Sequence, residues 1–181
     1  MKIISLVVAL AAVALMTGCG PTLALHPLYT DKDLATDVPL EGKWADADAE
    51  EVWTIRKSGD GFEGASPSTS DPEKVGIHVV RLGELRFLDI TSKDTTSLDI
   101  QGHLFVKVWM EGEGLRVPAL DSDWFKQKIR EASFPHLEME DEQMILTAPT
   151  LELRKFVTLC ASEPKAFDSD VGKFHRVPST P

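Results

Sequence analysis

The chain has 181 residues, of which 43% are hydrophobic and 27% are charged, and this composition is typical of a globular protein and not of an intrinsically disordered one. The length suits a single domain. With 19 basic and 29 acidic residues, the formal net charge of −10 argues against electrostatic binding of nucleic acid or of an anionic lipid surface.

The first eighteen residues have the three parts of a secretory signal peptide. Met1-Lys2 is a short basic start, residues 3–16 are apolar except for Ser5, and the small residues Thr17-Gly18 follow. As a helix, the apolar run would extend about 21 Å, which is shorter than the roughly 30 Å hydrocarbon core of a bilayer. We therefore predict that residues 1–18 are a signal peptide. An uncleaved anchor helix and a plain secretion signal are the alternatives.

Residues 15–19, Leu-Met-Thr-Gly-Cys, resemble the lipobox of bacterial lipoproteins. In that family a diacylglyceryl group joins the cysteine sulfur, the peptide is cut before the cysteine, and the new amine is acylated. The resemblance implies a covalent lipid on Cys19 that anchors the protein to a membrane. Gly20 follows, and not the Asp that retains such proteins in the inner membrane. The resemblance therefore also implies the periplasmic face of an outer membrane.

Residues 19–40 contain three prolines and no sustained hydrophobic period, and we interpret them as the lipidated tether. Within it, residues 26–29 are the part able to pack against the domain. We expect no cofactor other than the lipid on Cys19.

From residue 41 the hydrophobic pattern is that of short antiparallel strands. Apolar residues recur at strand spacing in five segments separated by turn residues, at 52–55, 77–82, 85–90, 103–110 and 115–120. Gly83-Glu84 suits a two-residue type II′ hairpin turn. The pattern predicts a mainly β domain over residues 41–181, in which an antiparallel meander forms a barrel, a half-barrel or a sandwich.

Two segments in the C-terminal half break the alternation and predict helices near 122–132 and 148–161. Asp121 can cap the first helix, and Pro149 is tolerated in the first turn of the second. Cys160 lies on the apolar face of the second helix. We expect it to be a small buried hydrophobe, because a catalytic thiol needs a base and an electropositive setting that no local motif supplies.

Gly42-Lys43-Trp44, at the start of the first predicted strand, resembles the first-strand motif of lipocalins, in which the tryptophan closes one end of a barrel. The body is also similar in layout to lipocalin-like β-barrel domains of small bacterial lipoproteins that have no known activity. An eight-stranded barrel can hold one small ligand. The candidate ligand-lining residues are Trp44, Trp53, Phe87, Val106, Val108 and Trp109. For the tryptophans we favour core packing, because aromatic side chains bury large areas, and ligand lining is the alternative.

Motifs for catalysis and for metal binding are absent from the sequence. None of the five histidines has the short spacing of a zinc site, although His78, His103 and His175 lie on predicted strands that an antiparallel sheet could bring together. We therefore expect no catalytic residue and no metal site.

Three classes of function remain open. We expect a membrane-anchored protein of the cell envelope with a non-catalytic binding domain, whose partner is an apolar ligand or an envelope protein. A structural or assembly accessory that docks an envelope complex is the alternative. An enzyme acting on envelope material is the third, and it would need a cleft of convergent polar groups.

Overall fold

A computed structural model gives the structure of the protein and describes residues 22–46, 52–67, 72–93, 101–139 and 143–178. The predicted signal peptide and Cys19 lie outside the described residues.

The described residues form eleven β-strands and two α-helices. The strands are β1 (Leu23–Ala24), β2 (Gly42–Asp46), β3 (Val52–Ser58), β4 (Gly61–Ala65), β5 (Lys74–Leu82), β6 (Leu85–Ser92), β7 (His103–Glu111), β8 (Gly114–Leu120), β9 (His136–Glu138), β10 (Met144–Leu146) and β11 (Phe167–Val177). The helices are α1 (Ser122–Glu131) and α2 (Thr150–Ala161). The prediction of a mainly β chain with two helices in its C-terminal half is confirmed.

Eight of the strands form a closed antiparallel barrel. Their order around the barrel is β6-β5-β4-β3-β2-β11-β8-β7, and β6 also pairs with β7 over residues 86–91 and 103–108. Strands β2 to β8 thus pair in chain order, and β11 closes the ring by pairing with both β2 and β8. This closure decides between the barrel, half-barrel and sandwich that the sequence left open. Strands β1, β10 and β9 extend from β7 outside the ring.

The barrel wall is apolar on both faces, so the domain has two cores. The inner core contains side chains that point into the barrel, among them Trp44, Trp53, Ile77, Leu88 and Val117. The outer core lies between the barrel wall, both helices and β10, and contains Val80, Phe87, Ile129, Leu153 and Phe156. Burial on both faces explains why β5 and β6 carry buried apolar side chains at consecutive positions, such as Val79-Val80 and Phe87-Leu88.

Residues 22–40, which the sequence predicted to belong to a tether, instead pack against the barrel. Strand β1 pairs with β7 and β10, Leu34 forms an isolated bridge to Val80, and Leu28 and Leu40 are fully buried. The folded domain therefore includes residue 22 and does not begin at 41. The segment has no hydrophobic period because it crosses the barrel through separate contacts and forms little regular structure.

Two ion pairs fasten this N-terminal segment. The Arg86 guanidinium lies 2.6 Å from the Asp37 carboxylate, and its hydrogen bonds lower the pKa of Asp37. Arg154 of α2 lies 2.6 Å from Asp33. Burial alone would raise the pKa of Asp33, but hydrogen bonds from Thr30 and the charge of Arg154 hold it below its usual value. Both carboxylates are therefore stabilised in the ionised form.

Residues 35–41 cover one end of the barrel, which we call the closed end. Val38 and Leu40 belong to the inner core, and the Leu40 carbonyl accepts a 2.6 Å hydrogen bond from Trp44 Nε1. Arg176, on the last strand, donates to the carbonyls of Pro39 and Glu41. These contacts hold the covering segment to the barrel.

The Gly42-Lys43-Trp44 motif has a steric explanation at the closed end. The Arg176 guanidinium lies 4.8 Å from the centre of a Trp44 ring, within cation–π range. A Cβ on Gly42 would come within 2.7 Å of Arg176 Nη1, and Gly42 has a φ of +139°, which other residues rarely adopt. Glycine is therefore needed for Arg176 to reach both the tryptophan and the carbonyls.

We expect Gly42→Ala to destabilise the domain by about 3 kcal/mol, because it strains the backbone and displaces Arg176 from its partners. Gly59→Ala is the control, since Gly59 also has a positive φ but a Cβ there meets nothing within 4 Å, and it should cost about 1 kcal/mol. Urea unfolding measures both. In an Arg176→Ala background the excess cost of Gly42→Ala should shrink, and an unchanged excess would contradict this explanation.

The ion pairs of Asp33 and Asp37 should make attachment of the N-terminal segment sensitive to strong acid only. Because both pKa values are lowered on folding, the stabilisation is complete above the ordinary Asp value of 3.8 and is lost as pH falls through the lower folded values. At pH 7 we expect an Asp33→Asn, Asp37→Asn double variant to be about 1 kcal/mol less stable than the wild type.

That difference should stay constant between pH 7 and pH 5 and disappear at lower pH, as measured by urea unfolding. Asp31→Asn is the control, because Asp31 is an exposed carboxylate on the same segment. A difference that begins to close near pH 6 would show that another group controls attachment.

Candidate functional site

The end of the barrel opposite the closed end, which we call the far end, is where β2, β4, β6 and β8 finish and β3, β5, β7 and β11 begin. Its connections include residues 47–51, 68–71 and 94–100, which lie outside the described residues. The inner core approaches this end through Val75, Ile90 and Leu104.

Three inward-facing side chains of β7 remain partly exposed, and they are Leu104, Val106 and Met110. Leu104 and Val106 pack against the inner core, yet both keep accessible surface, whereas Val108 on the same face is 2% exposed. Val106 lies in the middle of its strand, so its exposure is not explained by proximity to the strand end. The inner face of β7 is therefore less completely buried at Leu104 and Val106 than at Val108.

The strand pairing gives a reason for this accessibility. The register between β7 and β8 covers residues 109–111 against 114–116, whereas β6 pairs with β7 from residue 103 to residue 108. Over residues 104–108, β7 therefore has a registered strand partner only on its β6 side. Leu104 and Val106 both lie in this stretch, beside the gap in the pairing of β7 with β8.

Lys107 covers the outer side of this gap. Its ammonium lies 3.5 Å from the Ala161 carbonyl at the end of α2 and 4.4 Å from the centre of the Phe167 ring. Burial lowers the pKa of Lys107. This cation already has partners outside the barrel and does not point into the lumen.

Trp53 faces the accessible region from the other side of the lumen. Its strand, β3, is four places from β7 in the ring of eight, so the two strands lie on opposite walls. Trp53 is next to the far-end limit of β3, as Leu104 is on β7. The side chain is 5% exposed, and its Nε1 has no hydrogen-bond partner among the residues that the structure describes.

The structure divides the six predicted ligand-lining residues into two groups. Trp44, Trp53, Val106 and Val108 are on the inner face. Phe87 is buried in the outer core beneath the helices, and Trp109 is 39% exposed on the outside of β7. These two residues therefore do not line the lumen. Phe87 on β6 and Trp109 on β7 each alternate with inward-facing neighbours. For Trp109, this alternation was already visible in the sequence pattern of β7. The same signal places Leu104 inside, although it was not among the six.

A buried carboxylate on the outer face of β6 binds the N-terminal segment. Asp89 is fully buried, accepts a 2.8 Å hydrogen bond from the Leu28 backbone N–H, and lies 2.6 Å from His103 Nδ1. Nothing in the local sequence distinguishes Asp89 from an exposed strand residue. Its role arises because Leu28 is brought to it across the barrel.

Next to Asp89, three side chains form a hydrogen-bonded series. Tyr29 lies 3.1 Å from His78 Nδ1, and His78 Nε2 lies 3.4 Å from Asp60. Burial, with a contribution from the negative charge of Asp89, raises the pKa of Tyr29 to about 12. The phenol therefore stays protonated at neutral pH and shares a hydrogen bond with the His78 ring. The series contributes to holding Tyr29 on the barrel.

The three histidines considered for zinc are not brought together. His78 and His103 are engaged with different partners, and His175 is on β11, four places from β5 around the ring. Among the described residues, no group of three or more His, Cys, Asp or Glu side chains is arranged to hold a metal ion.

Cys160 is buried on the inner side of α2, as predicted. Its side chain belongs to the outer core and is 5% exposed. Burial raises the pKa of its thiol to about 11, so the reactive thiolate is rare at neutral pH.

Within the described part of the chain, neither helix has the length and apolar character needed to span a bilayer. Comparisons with protein-family models, curated proteins and solved structures find no match for this chain.

We expect Asp89→Ala to destabilise the domain by about 3 kcal/mol, because it leaves the buried Leu28 N–H unpaired and removes the partner of His103. Asp89→Asn keeps an acceptor oxygen and should cost about 1 kcal/mol. Urea unfolding and the rate of proteolysis within residues 22–34 are the measurements. Glu113→Gln, at an exposed position in the turn between β7 and β8, should change neither. If Asp89→Ala unfolds at the wild-type urea concentration, Asp89 does not hold the segment.

Proposed function

We propose that the protein is a membrane-anchored lipoprotein of the cell envelope whose barrel is a non-catalytic binding domain for an apolar ligand. The observation that supports this most directly is the partial exposure of Leu104 and Val106 inside a closed eight-stranded barrel. An interior packed only for stability would be expected to bury such side chains completely.

The arrangement of the barrel favours binding near the far end. Residues 35–41 and the Trp44–Arg176 contact occupy the closed end. We therefore place the ligand nearer the far end. The accessible side chains are aliphatic, and an aromatic ring faces them across the lumen. Small-molecule sites of this kind are mostly apolar with few polar groups.

The proposed membrane anchor is compatible with where the folded domain begins. Cys19 precedes Leu23 of β1 by four residues, so the two are within about 14 Å of each other. Leu23, Ile145 and Leu137 are consecutive cross-strand partners on β1, β10 and β9, and Leu137 is 54% exposed. An apolar surface at the start of the domain suits a position beside a bilayer.

Exposed apolar side chains elsewhere favour the second candidate function, in which the protein docks an envelope complex. Leu151 and Leu159, two turns apart on α2, are 62% and 66% exposed. Exposed apolar patches are typical of protein-interaction surfaces. Isolation of the protein from solubilised membranes without a stoichiometric partner would count against this function.

The ligand proposal is tested with the chain from residue 20 onward, exported without its lipid. Native mass spectrometry should show an additional mass that organic extraction removes. N-phenyl-1-naphthylamine, a neutral fluorophore that brightens in apolar surroundings, should then bind to the extracted protein. A clean apo mass and no dye binding would contradict the proposal.

We expect Val106→Phe to weaken dye binding at least tenfold, because the larger ring fills the accessible space beside β7. Trp109→Ala is the matched control, since it removes a larger apolar side chain from the outside of the same strand and should leave binding unchanged. If Trp109→Ala abolishes binding and Val106→Phe does not, the dye binds the outer surface and the interior site is wrong.

The anchor is tested by metabolic labelling with an alkyne analogue of palmitate. We expect label on the wild type and on Cys160→Ala, and none on Cys19→Ser, because the acyl groups would be added only after modification at Cys19. An unlabelled wild-type protein would contradict the lipoprotein proposal and would leave the ligand proposal unaffected.

A further inference from the structure

We infer that the ligand of the barrel is not a plain hydrocarbon but an apolar molecule carrying one hydrogen-bond acceptor, which pairs with the Trp53 indole N–H. This inference rests on the proposed function and specifies the chemical class of its ligand. A ketone, an ester or another neutral carbonyl compound with a hydrocarbon chain fits the description.

The unpaired donor is the first observation behind this inference. Trp53 Nε1 is buried and has no hydrogen-bond partner among the described residues. Leaving a buried donor unpaired costs about 1–3 kcal/mol, and buried indole N–H groups usually find partners. An acceptor on a ligand would recover that free energy.

Trp44 shows that the same barrel can satisfy an indole N–H when structure alone requires it. It is paired with Trp53 across β2 and β3, is equally buried, and donates its Nε1–H to the Leu40 carbonyl at 2.6 Å. The two neighbouring tryptophans therefore differ in a functional respect. The Trp44 N–H is paired within the protein, whereas the Trp53 N–H is buried without a partner among the described residues.

The position of Trp53 is the second observation. It lies at the far-end limit of β3, on the wall opposite Leu104 and Val106, two inward side chains that keep accessible surface. A chain-like ligand lying against β7 would have its hydrocarbon on the aliphatic wall and its oxygen toward β3. The inward-facing side chains of β7 carry no charge that could pair with a ligand, because Lys107 points outward to Ala161 and Phe167. A neutral acceptor therefore suits the site better than a carboxylate.

The test compares undecan-2-one with undecane as competitors of N-phenyl-1-naphthylamine. The two probes have the same chain length and differ in one carbonyl oxygen. We expect Trp53→Phe to lower the affinity for the ketone about fivefold relative to the alkane, because the donor is lost for the ketone alone, whereas the smaller aromatic ring affects both probes. Trp44→Phe is the control, and it should leave the ketone-to-alkane ratio of affinities unchanged.

A second readout does not require a folded variant. In the nuclear magnetic resonance spectrum of the wild-type protein, the Trp53 Nε1–H signal should move downfield when undecan-2-one is added and should move little with undecane. The Trp44 signal, which reports a hydrogen bond within the protein, should not respond in this way to either probe.

The other outcomes overturn the inference and separate it from the proposed function. If both probes bind, Trp53→Phe weakens them equally and the Trp53 signal does not move, then Trp53 is only core and the ligand proposal survives. If the Trp53 signal is already at a hydrogen-bonded position in the ligand-free protein, a bound water satisfies the donor and the inference fails. If neither probe nor the dye binds the wild type, the proposed function fails, and the inference with it.

Discussion

The pairing of β11 with both β2 and β8 is the constraint on which the rest of this structure depends. It turns the meander of strands β2 to β8 into a ring and removes the two open edges that β2 and β8 would otherwise present. Closure creates an inside and an outside, and both are apolar because helices and the N-terminal segment cover much of the outer wall. The role of each barrel residue therefore depends on whether its side chain faces the inside or the outside of this wall.

Polar contacts at a few positions attach the N-terminal segment, residues 22–40, to the barrel and to α2. Asp89 holds the Leu28 backbone, and Asp37 and Asp33 are paired with Arg86 and Arg154. The same segment then covers the closed end, where Arg176 stacks on Trp44 and binds two of its carbonyls. One end of the barrel is occupied in this way, and for this reason the proposed ligand site lies nearer the other end.

These polar groups attach the N-terminal segment to the barrel. Burial keeps the Tyr29 phenol and the Cys160 thiol protonated at neutral pH. Among the residues that the structure describes, the inner core contains one buried side-chain donor without a partner, Trp53 Nε1. Such a site can select a ligand by shape and by one hydrogen bond, which suits the proposed binding function and its further specification.

The sequence by itself determined the β-rich class, the positions of both helices, the burial of Cys160 and the alternation on β7 that separates Val106 from Trp109. These features depend on local periodicity and capping, which neighbouring residues decide. Only the tertiary structure decided that the sheet closes, that residues 22–40 belong to the domain, and that Phe87 lies beneath the helices. It also decided which of two similar tryptophans is left with an unpaired N–H. These features depend on contacts between residues far apart in the chain, such as Leu28 with Asp89 and Gly42 with Arg176, and local periodicity carries no information about them.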